Sequence, residues 1–386
     1  MHEASDNERA SMGEPFELQL IHDLNTAEAI WRDLEARSDG PPFLSWAWQH
    51  TWAETGGQAS GARPCVIVVS AGGRPAMLLP LSLERRHLGV ALTWSGGDLA
   101  DYKGPLIARD CPPELLGSGF RAVWRAALDA VPGFDYVHID RMPDQLGGLR
   151  HPLLAERCEL ATADSLQAAL GDDWEAFYQA RSSSSTRRSD RRKTRKLARH
   201  GAVEFQLVGE PALAERLLPD FFAQKSAHYR ALGVEDLFAA ACYRDFVRLM
   251  TARAPELVHF SAILVGDRPA AMHWGLWRPD RMYLMLPTYE RGELAAHSPG
   301  NLLCRRLMQW CCEQGVPIMD FTLGEEPYKV RWCTHRQPVW RHTSPRSRRG
   351  QVAAVALSAA ARLRRYIKTN PELYERAVRL RRTLRG

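Results

Sequence analysis

Two stretches decide the architecture: VVSAGGRPAMLL at residues 68–79 and AILVGDRPAAMHW at residues 262–274. Each is a run of β-branched and apolar residues, a tight Gly-x-Arg-Pro-Ala turn, and a second apolar run, which is the pattern of a β-hairpin. Arg74 and Arg268 stand 194 positions apart in a chain of 386, so the motif recurs at half the length. The resemblance continues outward from each copy. A short apolar strand follows (91–94; 282–286), then a loop with an aromatic residue and a proline, a helix (113–130; 299–315), and a buried-looking strand (136–139; 318–321). Upstream, an opening strand (16–21; 203–208) leads into helical segments (26–37 and 46–54; 212–231 and 240–251). One repeated hairpin could be coincidence, whereas a shared order of five elements implies an internal duplication. The expected fold is therefore α/β, two tandem halves with mixed, mostly antiparallel sheets and a parallel pairing where the helix crosses over.

The expected divisions are a disordered N-terminus at 1–15, a first half at 16–165, connecting helices with a basic segment at 166–201, a second half at 202–345, and a basic helical tail at 346–386. The last reads as two helices broken before Pro371. No run approaches the roughly 18 apolar residues of a membrane span, and the polar opening MHEASDNERASMGEP lacks the features of a secretory signal, so the cytoplasm is the expected location. Eight cysteines (Cys65, Cys111, Cys158, Cys242, Cys304, Cys311, Cys312, Cys333) form no Cys-x-x-Cys pair, which reads as reduced thiols. No metal is expected.

The net charge of +6 conceals an asymmetry. Residues 181–200 carry nine Lys/Arg against one acid, and residues 346–386 carry twelve against two, leaving an acidic body. The first segment suits a solvated helix or a patch for phosphate groups on a cofactor, a nucleotide-linked substrate or RNA. In the tail, Val, Leu and Ala fall on one side and Arg on the other, which suits a solvated terminal helix pair or docking on an anionic membrane or a partner. Lysine is scarce, six residues against 45 Arg, so a lysine beside a candidate site carries more weight than an arginine.

The window 282–332 holds the densest chemistry. Ser298 is placed to cap a helix whose first turn holds Pro299, Gly300 and Asn301, and uncrowded amides at a helix N-terminus suit a pyrophosphate. Downstream, MDFTLGEEPYKVRW brings Asp320, Glu325 and Glu326 close to Tyr328 and Lys329. A tyrosine and a lysine beside a pocket could protonate a leaving group and stabilise a developing negative charge, with Asp320 capping the bend or orienting Lys329. His273, in the strand AAMHWGLW, is a candidate for facing the same cleft. Trp46, Trp48 and Trp52, at helical spacing, read as a packing stripe rather than a sugar platform.

The order SPGNLL, helix, MDFTLGEEPYKVRW resembles the C-terminal half of GNAT-fold acyltransferases of the CelD/BcsL type, associated with cellulose or exopolysaccharide biosynthesis and related to the FemAB peptidyltransferases. PFLSWAWQHTW at 42–52 and DYKGPL at 101–106 resemble their N-terminal signatures, so the likeness spans roughly 16–345. The glycine-rich phosphate loop typical of GNAT enzymes is absent, and AHSPGNLL stands in its place. The resemblance implies two GNAT-like domains and transfer of an acetyl group from acetyl-CoA to an amine or hydroxyl of a sugar or glycan precursor. It places the pantetheine arm at the open strand end, near Met285 and Leu286, and the pyrophosphate at Ser298, Gly300, Asn301 and Leu302. Asp101 becomes acceptor anchor or base, Tyr328 the acid and Lys329 the oxyanion donor, with Tyr102, His273, Asp320 and Glu325 toward the acceptor. Two rival functions remain: aminoacyl transfer from a charged tRNA read by 181–200, and a non-catalytic scaffold of an envelope-polysaccharide complex. The basic tail would hold either the enzyme or the scaffold at the inner face of the membrane or against a partner.

Overall fold

The computed structural model describes residues 16–370 and Leu373. The expected disordered segment 1–15 and the second tail helix beyond Pro371 lie outside the described residues. The first half runs β1 (Glu17–Ile21), α1 (Leu24–Ala36), α2 (Trp46–Trp52), β2 (Arg63–Ala71), β3 (Arg74–Arg86), β4 (Gly89–Trp94), α3 (Phe120–Ala130) and β5 (Tyr136–Pro143). A strand, β6 (Ser165–Ala169), and two helices, α4 (Trp174–Arg181) and α5 (Ser184–Leu197), lead to the second half. That half repeats the order with β7 (Val203–Leu207), α6 (Pro211–Leu232), α7 (Ala241–Arg253), β8 (Val258–Val265), β9 (Arg268–Arg278), β10 (Arg281–Tyr289), α8 (Pro299–Glu313) and β11 (Ile318–Leu323). The chain closes with α9 (Pro327–Trp332), β12 (Val339–Pro345) and α10 (Arg348–Thr369).

The duplicated hairpins are β2–β3 and β8–β9, and they match in detail. Gly72, Gly73 and Gly266 take positive φ in the turns, a backbone conformation open to glycine at little cost. In both hairpins the register slips next to the proline, at Ser70↔Pro75 and Leu264↔Pro269. Proline has no N–H to give the ladder, so the irregularity follows from the repeated Arg-Pro. Among the main strands, the first sheet orders as β1-β2-β3-β4-β5-β12 and the second as β7-β8-β9-β10-β11-β6. Each is antiparallel except for one parallel pair, β4 with β5 and β10 with β11.

The last main strand of each sheet crosses the expected boundary. β12, assigned from sequence to the second half, pairs with β5 of the first, and β6, assigned to the connector, pairs with β11 of the second. The halves thus lend each other a strand, and each borrowed strand covers an edge that would otherwise be open to intermolecular pairing. A buried polar cluster sits beside this exchange. Tyr102 donates to Asp320 Oδ1 (2.7 Å), and Gln167 (3.1 Å) and Arg281 (3.0 Å) donate to Oδ2. Tyr102 also bonds Ser165. Burial raises the Asp320 carboxyl against the pull of Arg281, and the converging donors favour the carboxylate.

A shared apolar core fills the space between the halves, with Phe43, Trp48, Trp52 and Tyr102 packed among Phe221, Phe246, Trp274 and Leu286. Trp48 meets Phe246 edge-on at 4.7 Å, and Trp46 meets Trp31 at 5.7 Å. All three tryptophans of the stripe are buried, so they are packing residues. The eight cysteines are free thiols. Among the described residues no helix is long and apolar enough to cross a membrane.

Candidate active site

β10 and β11 pair over three residues only, Arg281↔Ile318 to Tyr283↔Asp320, and then part. Past the fork, β10 keeps β9 on one side while its other edge, from Leu284 to Tyr289, borders a cavity of about 580 Å³. α8 forms one wall with its N-terminus, α6 another, α9 closes the floor, and the loop holding Asp98 and Asp101 enters from the first half. Of the residues singled out in the sequence, Asp101, Met285, Leu286, Ser298, Gly300, Asn301, Tyr328 and Lys329 line this space.

Five do not. The Leu302 side chain points into the core beneath α8. Tyr102 and Asp320 line a separate polar cleft of about 320 Å³, where Asp320 holds Tyr102, Arg281 and the Thr322 amide rather than orienting Lys329. His273 is fully buried beside His259, and burial pushes its pKa far below the usual histidine range. Glu325 pairs with Arg336 at 3.0 Å, and its neighbour Glu326 lines the cavity instead. Adjacent strand and loop positions diverge by half a turn or more, so proximity in sequence does not bring all of them to one cavity.

Ser298 does not cap α8 through its side chain. It takes a left-handed conformation (φ 54°), and its Oγ accepts from Lys193 Nζ of α5 at 2.9 Å. The consequence is an ammonium at the helix N-terminus, where the first-turn amides and the helix dipole already favour an anion. Among the described residues three non-glycine residues have positive φ, namely Arg141 (53°), Ser298 (54°) and Thr322 (56°). Ser298 and Thr322 line the cavity, and Arg141 lies 4.0 Å from Asp101 while donating to the Ala100 carbonyl. Each such residue costs on the order of 1–3 kcal/mol, and their gathering here marks a place where the backbone is held against its preference.

The charged groups of the floor constrain one another. Lys329 Nζ donates to the Leu323 carbonyl at 2.6 Å and pairs with Glu326 at 3.0 Å. Burial raises the Asp101 carboxyl, opposed by Arg141, the Thr322 hydroxyl and Lys329. Burial also keeps the Tyr328 phenol protonated, so it acts as a neutral hydrogen-bond donor at physiological pH. Lys225 of α6 was not singled out from the sequence. Burial, reinforced by the charge of Lys329, lowers it to about 8, with Nζ 4.8 Å from the Tyr229 ring centre and 3.5 Å from the Pro287 carbonyl. The signal was available, since Lys225 is one of six lysines in a chain that otherwise uses arginine. His228, lowered to about 4 chiefly by burial, has Nδ1 3.0 Å from Arg291. A guanidinium only donates, so Nδ1 accepts and the proton sits on Nε2, which makes His228 a donor rather than a base. Cys304 lines the cavity too, with its thiol pushed up to about 12 by burial, so it stays un-ionised.

Two features fit an extended, phosphate-bearing thioester. Thr288 lines the cavity on the open edge of β10, and its Oγ1 is buried with no hydrogen-bond partner among the described residues. A buried hydroxyl left unpaired is costly, and a polar ligand lying along that edge would satisfy it. Gly300 lets the first turn of α8 lie against Tyr289, where an added Cβ would come to 3.2 Å from the ring. Among the described residues no three His, Cys, Asp or Glu side chains are grouped to hold a metal ion.

Residues 184–330 match the family model of an acetyltransferase (GNAT) domain, a segment running from α5 to α9 that contains most of this site. No curated protein matches the chain. Among solved structures, the chain is similar to the C-terminal domain (DUF2156) of a protein named as a lysylphosphatidylglycerol synthetase from Agrobacterium fabrum, with TM-score 0.53 and 13% identity over 88% of this chain and 96% of that one. It is also similar to FemX (TM-score 0.52, 9% identity, 83% and 96% covered) and to L-PGS from Bacillus licheniformis (TM-score 0.51, 13% identity, 86% and 96% covered). At these identities the likeness is one of fold. The chain is a mixed α/β protein of the GNAT fold, and residues 184–330 match a GNAT acetyltransferase domain. Its class of chemistry is acyl transfer.

Proposed function

We propose that the protein transfers an acetyl group from acetyl-CoA to an amine or hydroxyl on a sugar or glycan precursor, as an acyltransferase similar to the CelD/BcsL type of exopolysaccharide biosynthesis. The observation that carries the donor reading is the fork between β10 and β11, with the unpartnered Thr288 hydroxyl on one arm and the α8 N-terminus at its mouth. In this reading the α8 amides, Lys193 and Ser298 hold the diphosphate, and residues 284–288 hold the pantetheine arm. Bound acetyl-CoA supplies a thioester carbonyl open to attack. Asp101 or neutral Lys225 takes the proton of the attacking group. Lys329, freed in part from Glu326, donates to the carbonyl oxygen as charge develops there. Tyr328 hydrogen-bonds the departing sulfur. The acceptor side is bounded by Asp98, Asp101, His228, Tyr229 and Leu237, a polar rim with an apolar wall that suits a sugar ring.

A second reading has one specific observation in its favour. Arg188, Arg191, Arg192, Arg195, Lys196 and Arg199, on and just after α5, are exposed, and none forms an ion pair among the described residues. Such a face suits the phosphates of a charged tRNA, which would make the donor an aminoacyl ester. Calorimetric titration with acetyl-CoA and with bulk tRNA separates the two. Saturable binding of acetyl-CoA without tRNA supports the first, the converse supports the second, and binding of neither leaves a scaffold.

A further inference from the structure

The outer face of α10 is the second place where this molecule is built for an anionic partner. α10 begins rigidly. The Arg346 and Ser347 amides donate to the Asp135 carbonyl (2.8 and 3.0 Å), the Ser347 hydroxyl donates to Asp135 Oδ1 (2.8 Å), and Ser347 Oγ accepts from the Gly350 amide (3.0 Å). At Gly350 a Cβ would meet the Asp135 carbonyl at 1.8 Å, so the first turn packs tightly on β5. From there Ala353, Leu357 and Ala361 face the first sheet. The opposite side is apolar as well. Val352, Val355, Leu363 and Tyr366 are 66%, 70%, 59% and 61% exposed, and at about 100° per residue they fall within roughly a quarter of the helix circumference. Exposed Ala356 and Ala359 lie on the same side. Nine large hydrophobic side chains are exposed among the described residues, and four of them form this one stripe.

By the same spacing Arg349 and Arg362 border the stripe and Arg348 lies within it at its N-terminal end, and the segment 346–386 has twelve Lys/Arg to two acids. A second copy of the chain fits poorly here, because pairing the stripe with itself would bring both sets of arginines together, and four side chains bury far less than the roughly 800 Å² per partner of a stable interface. A bilayer with anionic headgroups meets both demands. Its acyl boundary takes the valines and leucine, and its phosphates take the guanidinium groups. We infer that α10 lies in the plane of an anionic lipid surface, with the Val352–Val355–Leu363 stripe inserted and the flanking arginines at headgroup level. This does not depend on which acyl donor the cavity takes.

The test is cosedimentation of the full chain with vesicles of phosphatidylcholine alone or with about one third phosphatidylglycerol, at low and high salt. Anionic vesicles should capture the protein, neutral ones should not, and salt should weaken capture. The double variant Val355→Asp/Leu363→Asp, at two outward positions, should keep the wild-type melting profile and lose about tenfold or more in partitioning. Arg349→Gln/Arg362→Gln should weaken capture and flatten its salt dependence. Arg188→Gln/Arg191→Gln/Arg195→Gln on α5 should leave it unchanged. The inference is overturned if anionic vesicles fail to bind at low salt, if the Asp variant binds like the wild type, or if the α5 variant is the one that abolishes capture. It is also overturned if light scattering finds a dimer that the Asp variant splits.

Discussion

Replacing Gly300 by aspartate should separate folding from donor binding, because the two respond with opposite sign. Gly300 is the second residue of α8 and takes no unusual φ. Loss of glycine from a helix is worth about 0.5–1 kcal/mol, and a carboxylate in the first turn adds about 0.3–1 kcal/mol through the dipole. Against this, the new Cβ sits 3.2 Å from Tyr289 Cδ1, so the ring must shift by a few tenths of an ångström. The net expectation is an unchanged or raised melting temperature. For the ligand, the carboxylate stands where the diphosphate is proposed to lie. At about 5 Å and an effective dielectric constant near 20, one pair of unit charges repels by about 3 kcal/mol, or roughly a hundredfold in Kd. Gly300→Asn supplies nearly the same volume without the charge and should lose far less. Titration of acetyl-CoA into the three proteins at low salt, alongside thermal melts, reads both quantities, and the gap between the Asp and Asn variants should narrow as salt rises. Equal affinity for Asp, Asn and wild type, with the fold intact, would place the diphosphate elsewhere and refute the reasoning.

Lys329→Met should lower the single-turnover rate by about 10²–10³ while acetyl-CoA affinity changes little, since an oxyanion exists only in the transition state. A fall of less than about fivefold would remove Lys329 from the chemistry. The proton-acceptor role of Lys225 predicts that kcat/KM rises with pH through about 8, because a base works only when deprotonated, and that Lys225→Met removes this limb. An unchanged pH profile in an active Lys225→Met would leave Asp101 as the base. Asp320→Ala leaves the partly buried Arg281 and the buried Tyr102 and Gln167 donors without their carboxylate and should cost about 3 kcal/mol in urea unfolding. Asp320→Asn keeps the shape and should cost less, and equal losses would mean that charge pairing at the junction contributes nothing. Buried neutral histidines make acid destabilising: His151 and His259 are held at about 4, against an ordinary 6.5. The unfolded state binds the extra protons between those values, so stability should be full near pH 7 and fall as pH drops through 6.5 toward 4. A melting temperature flat from pH 7 to 5 would contradict this.

Much of the site was legible because it is local. The run from Ser298 to Asn301 reads as a helix start, and Tyr328 with Lys329 sits one bend beyond a strand that α8 must precede. Both follow from chain order. Lys225 was missed although its scarcity was visible, because nothing local announces that the fifteenth residue of a 22-residue helix faces a cavity floored by α9. Glu325 was chosen over Glu326 for a related reason. In a short bend two neighbouring carboxylates look alike until the following helix turns one inward and leaves the other to Arg336. Ser298 shows the limit most clearly. A serine before a proline is a sound cap by propensity, but Lys193, more than a hundred residues earlier, takes its hydroxyl and the backbone adopts the left-handed region.

By itself the sequence determined the duplication, the hairpins, the mixed α/β class of each half and the basic segments, because periodicity, turn chemistry and charge are written over a few neighbouring residues. Only the tertiary structure decided that the halves exchange β6 and β12, that Asp320 holds the junction rather than the floor, and that α10 buries Ala353 and Ala361 while presenting Val352 and Val355 to solvent. β6 and β12 are five and seven residues long, too short for a pattern that names a partner sheet. α10 has apolar residues on both sides, so no periodicity could say which side meets the protein. Those choices depend on edges and faces contributed from more than a hundred residues away, and they exist only once the chain has folded.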